Sequence, residues 1–408
     1  MLKYDTIVIG AGVIGASTAY YLKQQSPKQK ILLLEQNSKA GLGNTSKSAA
    51  LYRNLFSSRT SQILANCSIN FYLSIADKIS LKKTGYFWMF SKKDWDKIQN
   101  GLAKLNTEKD NFDILTPNEI PANLLLNHEK SGEFQDVHRI LYGHRCGSLS
   151  AVKLARYYLQ QFEELGGKVL FDTKIESINL TEKRRNYPPW TDVKIKSIID
   201  SDKDILEAND YIFSTGAWTD SLLSPIGIAS HIYPQKRQMF TLQLHDSAQI
   251  VNDPSKKVPI LILPTGGVYV KPVLKNNLIV VGCANELGNP FSMDKYPPEA
   301  EEKYFNNVIA PVLEHYFPKL TNYKIFSKWA GYYAYYWPDK NPVIEKVSNI
   351  QWVSGTSGSG IMKADAIGRI AAARALEASS VELFDGTKFS VADLSLKHRR
   401  VDIEELII

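Results

Sequence analysis

Two glycine-rich turns lie at opposite ends of the chain, each between an apolar run and a stretch with helical spacing. In the first, "TIVIGAGVIGASTAYYL", Gly10, Gly12 and Gly15 follow a β-branched run at 5–9 and open a helix. The first glycine permits a tight turn, the second lets a pyrophosphate reach the backbone, and the third lets helix and strand pack closely. The free N–H groups around Ile14 and the positive end of the helix then face phosphate charge. A second apolar run, "KILLLEQ", ends at Glu35 and Gln36; Glu35 stands 20 residues after Gly15, where an acid accepts hydrogen bonds from ribose hydroxyls. This pattern predicts a dinucleotide site. A glutamate suits the unphosphorylated ribose of NAD or the adenosine ribose of FAD and argues against NADP. The motif does not choose between the first two.

The second turn, "GTSGSGIMKADAIGR", places Gly358, Ser359 and Gly360 after the run "IQWVS" and before Ile361, Ala364, Ile367 and Ala371 at helical spacing. It also reads as strand, glycine turn and helix start. A chain with one dinucleotide site has no evident need of a second such turn for phosphate.

The elements that would carry these turns are legible from periodicity. Strands are expected at 5–9 and over Lys30–Gln36, with a helix from Gly15 to Lys23 between them. "VKLARYYLQQFEELGGKVLFDTKIESI" reads as a long amphipathic helix, a Gly-Gly stop and another strand, and "DYIFSTGAWT" as a buried strand ending in a glycine turn. From Met239 to Ala284 short strands alternate with turn residues, the pattern of an antiparallel sheet. Residues 298–316 return to helix, and 352–376 supply the last strand and helix. The expected class is therefore α/β, or α+β overall. A discontinuous Rossmann-like part takes 1–85, 145–228 and 325–408, and an antiparallel-sheet part takes 86–144 and 229–324.

Composition narrows the function classes. At 408 residues, 44% hydrophobic and 22% charged, the chain has the make-up of a globular protein with a large core. No run of about 18 apolar residues occurs, so no membrane-spanning helix is expected. With Gly10 so early in the sequence, no signal peptide is expected. The expected compartment is the cytoplasm, with contact against the inner face of a membrane left open. Three scattered cysteines and seven dispersed histidines show no zinc spacing, so no metal site is expected. The net charge of +7 reads as a lysine-rich solvated surface, not a nucleic-acid footprint. Its densest cluster, "EKRRNYPPW" (Glu182–Trp190), reads as an exposed turn between two strands.

Three further segments carry a family resemblance. "GLGNTSKSAALYRNLF" (Gly41–Phe56) follows the second strand; "IFSTGAWTDSLL" (Ile212–Leu223) is similar to the "aaGaWs..l" strand; and the second glycine turn is similar to "GxSGxGxxxxPxxG". With the N-terminal motif, they resemble the D-amino-acid oxidase superfamily, in the branch of sarcosine and glycine oxidases and dye-linked L-proline dehydrogenases. The resemblance spans almost the whole chain in the family's order.

It implies FAD-dependent oxidation of a CH–NH donor, with the Rossmann-like part as the FAD-binding domain and the antiparallel-sheet part as the substrate-binding domain. The cofactor contacts it implies include Thr45, Ser46, Lys47 and Ser48 along the flavin, and Ile175, Gly216 and Trp218 toward the adenosine half. At the second glycine turn, Gly358, Ser359, Gly360, Ile361 and Met362 would face the pyrimidine side of the ring, with Gly360, Ile361 and Met362 giving the N–H groups. Such N–H groups would stabilise the negative charge of reduced flavin.

The resemblance also implies Arg53 at the flavin face, although Ala50-Leu51 stand where the family has a glycine pair. Lys363 lies one residue after a position (here Met362) whose lysine binds the substrate carboxylate in sarcosine oxidases. The strand "WAGYYAYYWPDKNPVI" matches the family's turn at Asp339 and Pro342. It lacks the cysteine that links flavin covalently in some members, so non-covalent FAD is expected. Its tyrosines alternate faces, and Tyr332 and Tyr335 are the pair assigned to the active site. Val280 aligns with a lysine that promotes oxygen reduction, which favours electron transfer to a quinone, dye or protein carrier.

The expected substrate is a small amino or imino acid such as proline or sarcosine, oxidised by hydride transfer to flavin N5. The rival readings are an oxidase producing H2O2, a non-catalytic FAD-containing subunit or assembly factor, and an NAD-dependent dehydrogenase in which only the first glycine motif has meaning. A homo- or hetero-oligomer is left open.

Overall fold

The computed structural model describes residues 3–105, 111–181, 193–245, 249–283 and 297–406. The expected turn at Glu182–Trp190 lies outside these residues. Lys3–Ile9 pairs in parallel with Ile31–Leu34 on one side and Ile205–Phe213 on the other. Lys168–Leu170 extends this sheet in parallel beyond Ile31–Leu34, and Ile350–Ser354 extends it beyond Ile205–Phe213. Val343–Val347 closes one edge antiparallel, and the hairpin Ile175–Leu180/Ile195–Asp200 leans on the start of Ile205–Phe213. Continuous apolar runs such as Ile31–Leu34 suit these strands because both faces of the sheet are covered. Val8, Leu33 and Val353 join the helical side, whereas Ile7, Leu32 and Trp352 pack into a separate core on the reverse.

The helical side explains why the two glycine turns lie near each other. Helices Val13–Gln25, Ala151–Glu164 and Ala364–Ala375 share it, with Val13–Gln25 packed against both others. The first and last helices approach through small residues, among them Ala16, Ala19, Ala364 and Ala371, all fully buried. Between these helices a Cβ on Gly368 would lie 2.6 Å from Ser17 Oγ. Each helix follows a strand of the same parallel sheet, so both helix starts emerge at the strands' carboxyl ends, where open α/β sheets bind ligands.

The second sheet runs in the order Tyr323–Tyr335, Tyr233–Leu244, Leu278–Cys283, Val268–Val273, Ile260–Ile262, Tyr86–Phe90, Arg139–Gly143, Phe112–Leu115. All its pairings are antiparallel except Ile260–Ile262 with Tyr86–Phe90. One face packs on the helical stretch 302–316, which contains a π-helical segment, Phe305–Ile309. Pro311 follows it and has no N–H to donate to the carbonyl of Asn307, which accounts for the break in the α pattern. Tyr323–Tyr335 pairs along its length with Tyr233–Leu244, so the domain boundary expected at 325 falls inside a strand of the antiparallel sheet. Cys67, Cys146 and Cys283 are buried free thiols. Among the described residues no helix is long and apolar enough to cross a membrane, and no histidine, cysteine and carboxylate group gathers as a metal site.

Gly368→Ala tests the helix contact. Its methyl would meet Ser17 Oγ, Cβ and backbone carbon all within 3.0 Å. The expected loss is about 1–3 kcal/mol, read as a lower urea-unfolding midpoint with an unchanged slope.

Candidate active site

The first glycine turn is built by close backbone approach. Gly10 has φ +97°, and a Cβ there would lie 2.8 Å from Ser214 O. A Cβ on Gly15 would fall 1.8 Å from Gly10 O, so Gly15 seats the helix on the turn and does not face a ligand. Glu35 braces the same turn: its Oε2 accepts from the Ala11 N–H at 2.8 Å and its Oε1 from the Asn37 N–H at 3.0 Å. Thr45 Oγ1 accepts from the Val13 N–H at 3.1 Å, tying the segment after the second strand to the helix start.

Above this turn opens a cavity of about 360 Å³. Its walls come from the first turn (Gly10, Gly12, Ile14), from Glu35 and Gln36, and from Thr45, Lys47 and Ser48. Ile175, Gly216 and Trp218 supply another side, and Gly358, Gly360 and Ile361 of the second turn close it. The wall fits a dinucleotide. Gly10 and Gly12 put bare backbone on it. The hydroxyl of Ser214 on the wall is buried with no hydrogen-bond partner in the protein, which a polar ligand would satisfy.

Several sequence assignments need correction. Ser46 turns away from the wall; its hydroxyl donates to the carbonyls of Leu42 and Gly43. Ser359 and Met362 do not line this cavity but a second, adjoining one. The helix after the second turn also starts later than expected, since Ile361–Lys363 form a 3-10 turn before Ala364–Ala375. Tyr332 lines the large cavity edge-on to Trp218, at a centroid distance of 6.1 Å. Tyr335 lines neither cavity and packs against Trp337. The tyrosine between the cavities is Tyr333, which no pattern in the strand had distinguished.

The second cavity, about 100 Å³, shares Ser48, Tyr333, Gly358 and Ile361 with the first. Arg53 and Lys363 both line it, with Phe56, Tyr86 and Tyr269 as aromatic walls. Arg53 is buried; it donates to the carbonyls of Leu55 and, at 2.8 Å, Leu406, and lies 4.1 Å from the Phe56 ring centre. Lys363 is 1% exposed; its Nζ donates to Ser61 Oγ at 2.9 Å and lies 4.3 Å from the centre of the same ring. Burial lowers the Lys363 ammonium to about 7, with Glu404 opposing that shift and Arg53 adding to it. Burial also lowers the Arg53 guanidinium, against the pull of Glu404.

Glu404 marks what the sequence reading missed: the C-terminal tail walls this cavity. Its carboxylate accepts from the N–H and hydroxyl of Ser57, the N–H of Ser58 and the N–H of Leu406, at 2.8 to 3.1 Å. Nothing in the composition of "VDIEELII" signals that contact.

Two substitutions relative to the resembled family acquire a structural account. Ala50, in place of a glycine, has φ +53°, so the backbone keeps a left-handed conformation despite the methyl group. Val280 has Lys271 directly opposite it on the neighbouring strand. Burial lowers the Lys271 ammonium to about 8, and its Nζ donates to the carbonyl of Ala49, a residue of the second cavity, at 3.0 Å.

The family described as "FAD dependent oxidoreductase" (DAO) matches residues 5–374. FAD-dependent oxidoreductase domain-containing protein 1 of Xenopus laevis is 22% identical over 423 aligned positions, covering 91% of this chain and 78% of that protein. Monomeric sarcosine oxidase of an Arthrobacter species (strain TE1826) is 24% identical and covers 90% of each chain. The crystal structure of L-proline dehydrogenase from P. horikoshii superimposes with a TM-score of 0.73 at 21% identity, over 91% of this chain and 92% of that one.

Gly358 gives the test of the shared wall. It has φ +85°, and a Cβ there would lie 2.5 Å from the Tyr333 ring. In Gly358→Ala, left-handed strain of about 1–2 kcal/mol adds to displacement of Tyr333. The variant is expected to retain FAD at least about 10-fold more weakly, measured by flavin release on dilution.

Proposed function

Because the chain belongs to the DAO family of FAD-dependent oxidoreductases, we propose that it oxidises the C–N bond of a small amino or imino acid, with proline and sarcosine the leading candidates. The observation that carries this reading is the second cavity: two buried basic side chains, Arg53 and Lys363, and four aromatic rings, one of which, Tyr333, belongs to the wall shared with the cofactor-sized cavity. FAD, when bound, supplies a two-electron acceptor for the hydride of the substrate's α-carbon.

The residues of this chain position and polarise. Two N–H groups of Arg53 are held by carbonyls, which fixes the guanidinium and leaves other N–H donors for a carboxylate. A cavity of about 100 Å³ excludes long side chains and suits a pyrrolidine ring or an N-methyl group against Phe56 and Tyr333. Gly360 and Ile361 line the large cavity, where their N–H groups would stabilise charge on the reduced ring, and the lack of a cysteine in Tyr323–Tyr335 favours non-covalent binding. The parallel sheet with its three helices serves as the cofactor domain and the antiparallel sheet as the substrate domain.

Two acceptors for the electrons are distinguishable. A carrier other than O2 is favoured by Val280, which puts no cation at the position associated with oxygen reduction. Oxidase activity is favoured by Lys271, a buried cation opposite Val280 that bonds the second cavity's wall.

Anaerobic mixing of the yellow protein with proline or sarcosine is expected to bleach the visible flavin band. Arg53→Met is expected to raise the KM of that reduction about 100-fold. If no secondary or primary amino acid bleaches the band, this reading is wrong. Reoxidation then separates the acceptors: recovery with a dye but not with air marks a dehydrogenase. Fast recovery in air that slows at least about 10-fold in Lys271→Met marks an oxidase.

A further inference from the structure

We propose that Lys363 is the proton acceptor that takes the ammonium proton of the bound substrate before the C–H bond breaks. This rests on the reading of the protein as an amino-acid oxidoreductase, and assigns the one step which that reading leaves without a residue. An amino acid arrives with its nitrogen protonated, and a C=N bond forms as hydride leaves only if that nitrogen carries a lone pair.

Geometry fixes what Lys363 is able to do. Its Nζ donates to Ser61 Oγ, and Ser61 cannot return that bond, because its own proton goes to Asn341 Oδ1 at 2.7 Å. Asn341 is held in turn: its amide donates to the carbonyls of Asp339 and Asp402, both at 3.0 Å. The bond between Lys363 and Ser61 therefore has a defined direction, with the lysine as donor. The rest of the amine lies beside Phe56 in the second cavity.

The carboxylates around it are already engaged, and Lys340 adds a further amine to the lining of the cavity. Glu404 accepts four hydrogen bonds from Ser57, Ser58 and Leu406. Asp339 is paired with Arg399, and Asp402 accepts from the Arg59 N–H. Arg53, on the same cavity, repels a second positive charge. Among the described residues no carboxylate forms an ion pair with Lys363 at 4.0 Å or less. A lysine this deeply buried beside another cation, with no counter-ion in contact, is held near neutrality at physiological pH, as its displacement to about 7 agrees.

A substrate whose carboxylate engages Arg53 brings its nitrogen into the same small space. Burial that disfavours an ammonium on Lys363 equally disfavours one on the substrate, so the two nitrogens share one proton instead of holding two. In the transfer, one N–H bond of the substrate ammonium breaks and one Nζ–H bond forms. No electrons are exchanged, and the net charge of the cavity is unchanged. The lysine then holds the proton until solvent takes it after product leaves. A carboxylate anchor would need the opposite state, a lysine charged throughout the working range.

The test is anaerobic stopped-flow reduction of the FAD-loaded protein between about pH 5.5 and 10.5, with an amino acid that bleaches wild type. Wild-type reduction is expected to rise with pH through a midpoint near 7 and then level off. In Lys363→Met the rate at neutral pH should fall about 100-fold or more and recover with rising pH along the substrate's own ammonium ionisation, with KM little changed. Lys363→Arg should not rescue it, because an arginine does not accept a proton. Ser61→Ala removes the acceptor that favours the charged lysine, and should move the wild-type limb to lower pH while keeping the high-pH rate.

A raised KM in Lys363→Met without a changed pH profile, or rescue by arginine, would show an anchoring role and overturn the proposal. Thermal melting needs no substrate. With a folded ionisation near 7 against about 10.5 unfolded, the folded wild type binds fewer protons between these values, so its stability should rise with pH across that window. Lys363→Met should therefore be the more stable protein near pH 7, by a margin that narrows toward pH 10. A constant margin would mean a charged lysine and would overturn the proposal. Failure of every amino acid to bleach wild type would instead remove the functional reading, and this one with it. Bleaching with an unaltered pH profile in Lys363→Met would remove this one alone.

Discussion

Two buried basic side chains, Arg53 and Lys363, on one small cavity set the terms for this half of the molecule. Taking a guanidinium and an amine out of water is costly unless polar partners or a shift in ionisation offset it. Arg53 is met by the carbonyls of Leu55 and Leu406, and both cations lie over the Phe56 ring. Lys363 relaxes the remaining conflict by moving toward neutrality. The tail that brings Leu406 into place is itself pinned by Glu404 on the backbone of Ser57 and Ser58. That pair of residues begins the helix Arg59–Ser74, which carries Ser61 to Lys363. The cavity, the tail and this helix are thus one arrangement, and a change to any of them alters the charge the others must hold.

The same economy of space governs the glycine turns. The first and last helices lie side by side because alanines and Gly368 let them approach, and that approach brings both turns to one end of the parallel sheet. One turn contributes Gly10, Gly12 and Ile14 to the wall of the large cavity. The other contributes Gly358 and Ile361 to the wall between the two cavities. Both helix starts need glycine for the same reason: a side chain at Gly10, Gly15 or Gly358 would collide with neighbouring backbone or with the Tyr333 ring.

Local patterns made much of this visible in advance. Gly10, Gly12 and Gly15 with Glu35 read as a dinucleotide turn because their spacing is set by contacts within one βαβ unit, all close in sequence. The short strands between residues 239 and 284 declared an antiparallel sheet for the same reason. The failures share a cause as well. Tyr332, Tyr333 and Tyr335 carry nearly identical side chains on one strand. Which of them meets the cofactor space depends on how Tyr233–Leu244 and the second glycine turn pack against that strand. Ser46 sits among residues that do line the cavity, yet bonds back onto its own turn.

The sequence alone thus determined the class of fold, the cofactor motif and the residue types available for chemistry, since short-range spacing and periodicity encode them. It also put Arg53 and Lys363 forward, but not their relation, because no pattern joins positions so far apart in the chain. Tertiary structure decided that they share one cavity, that the tail's Glu404 and Leu406 complete it, and that a 3-10 turn brings Met362 and Lys363 together to its wall. It also set the charge on the lysine, because ionisation depends on burial and neighbouring charges, and those exist only once distant segments have met.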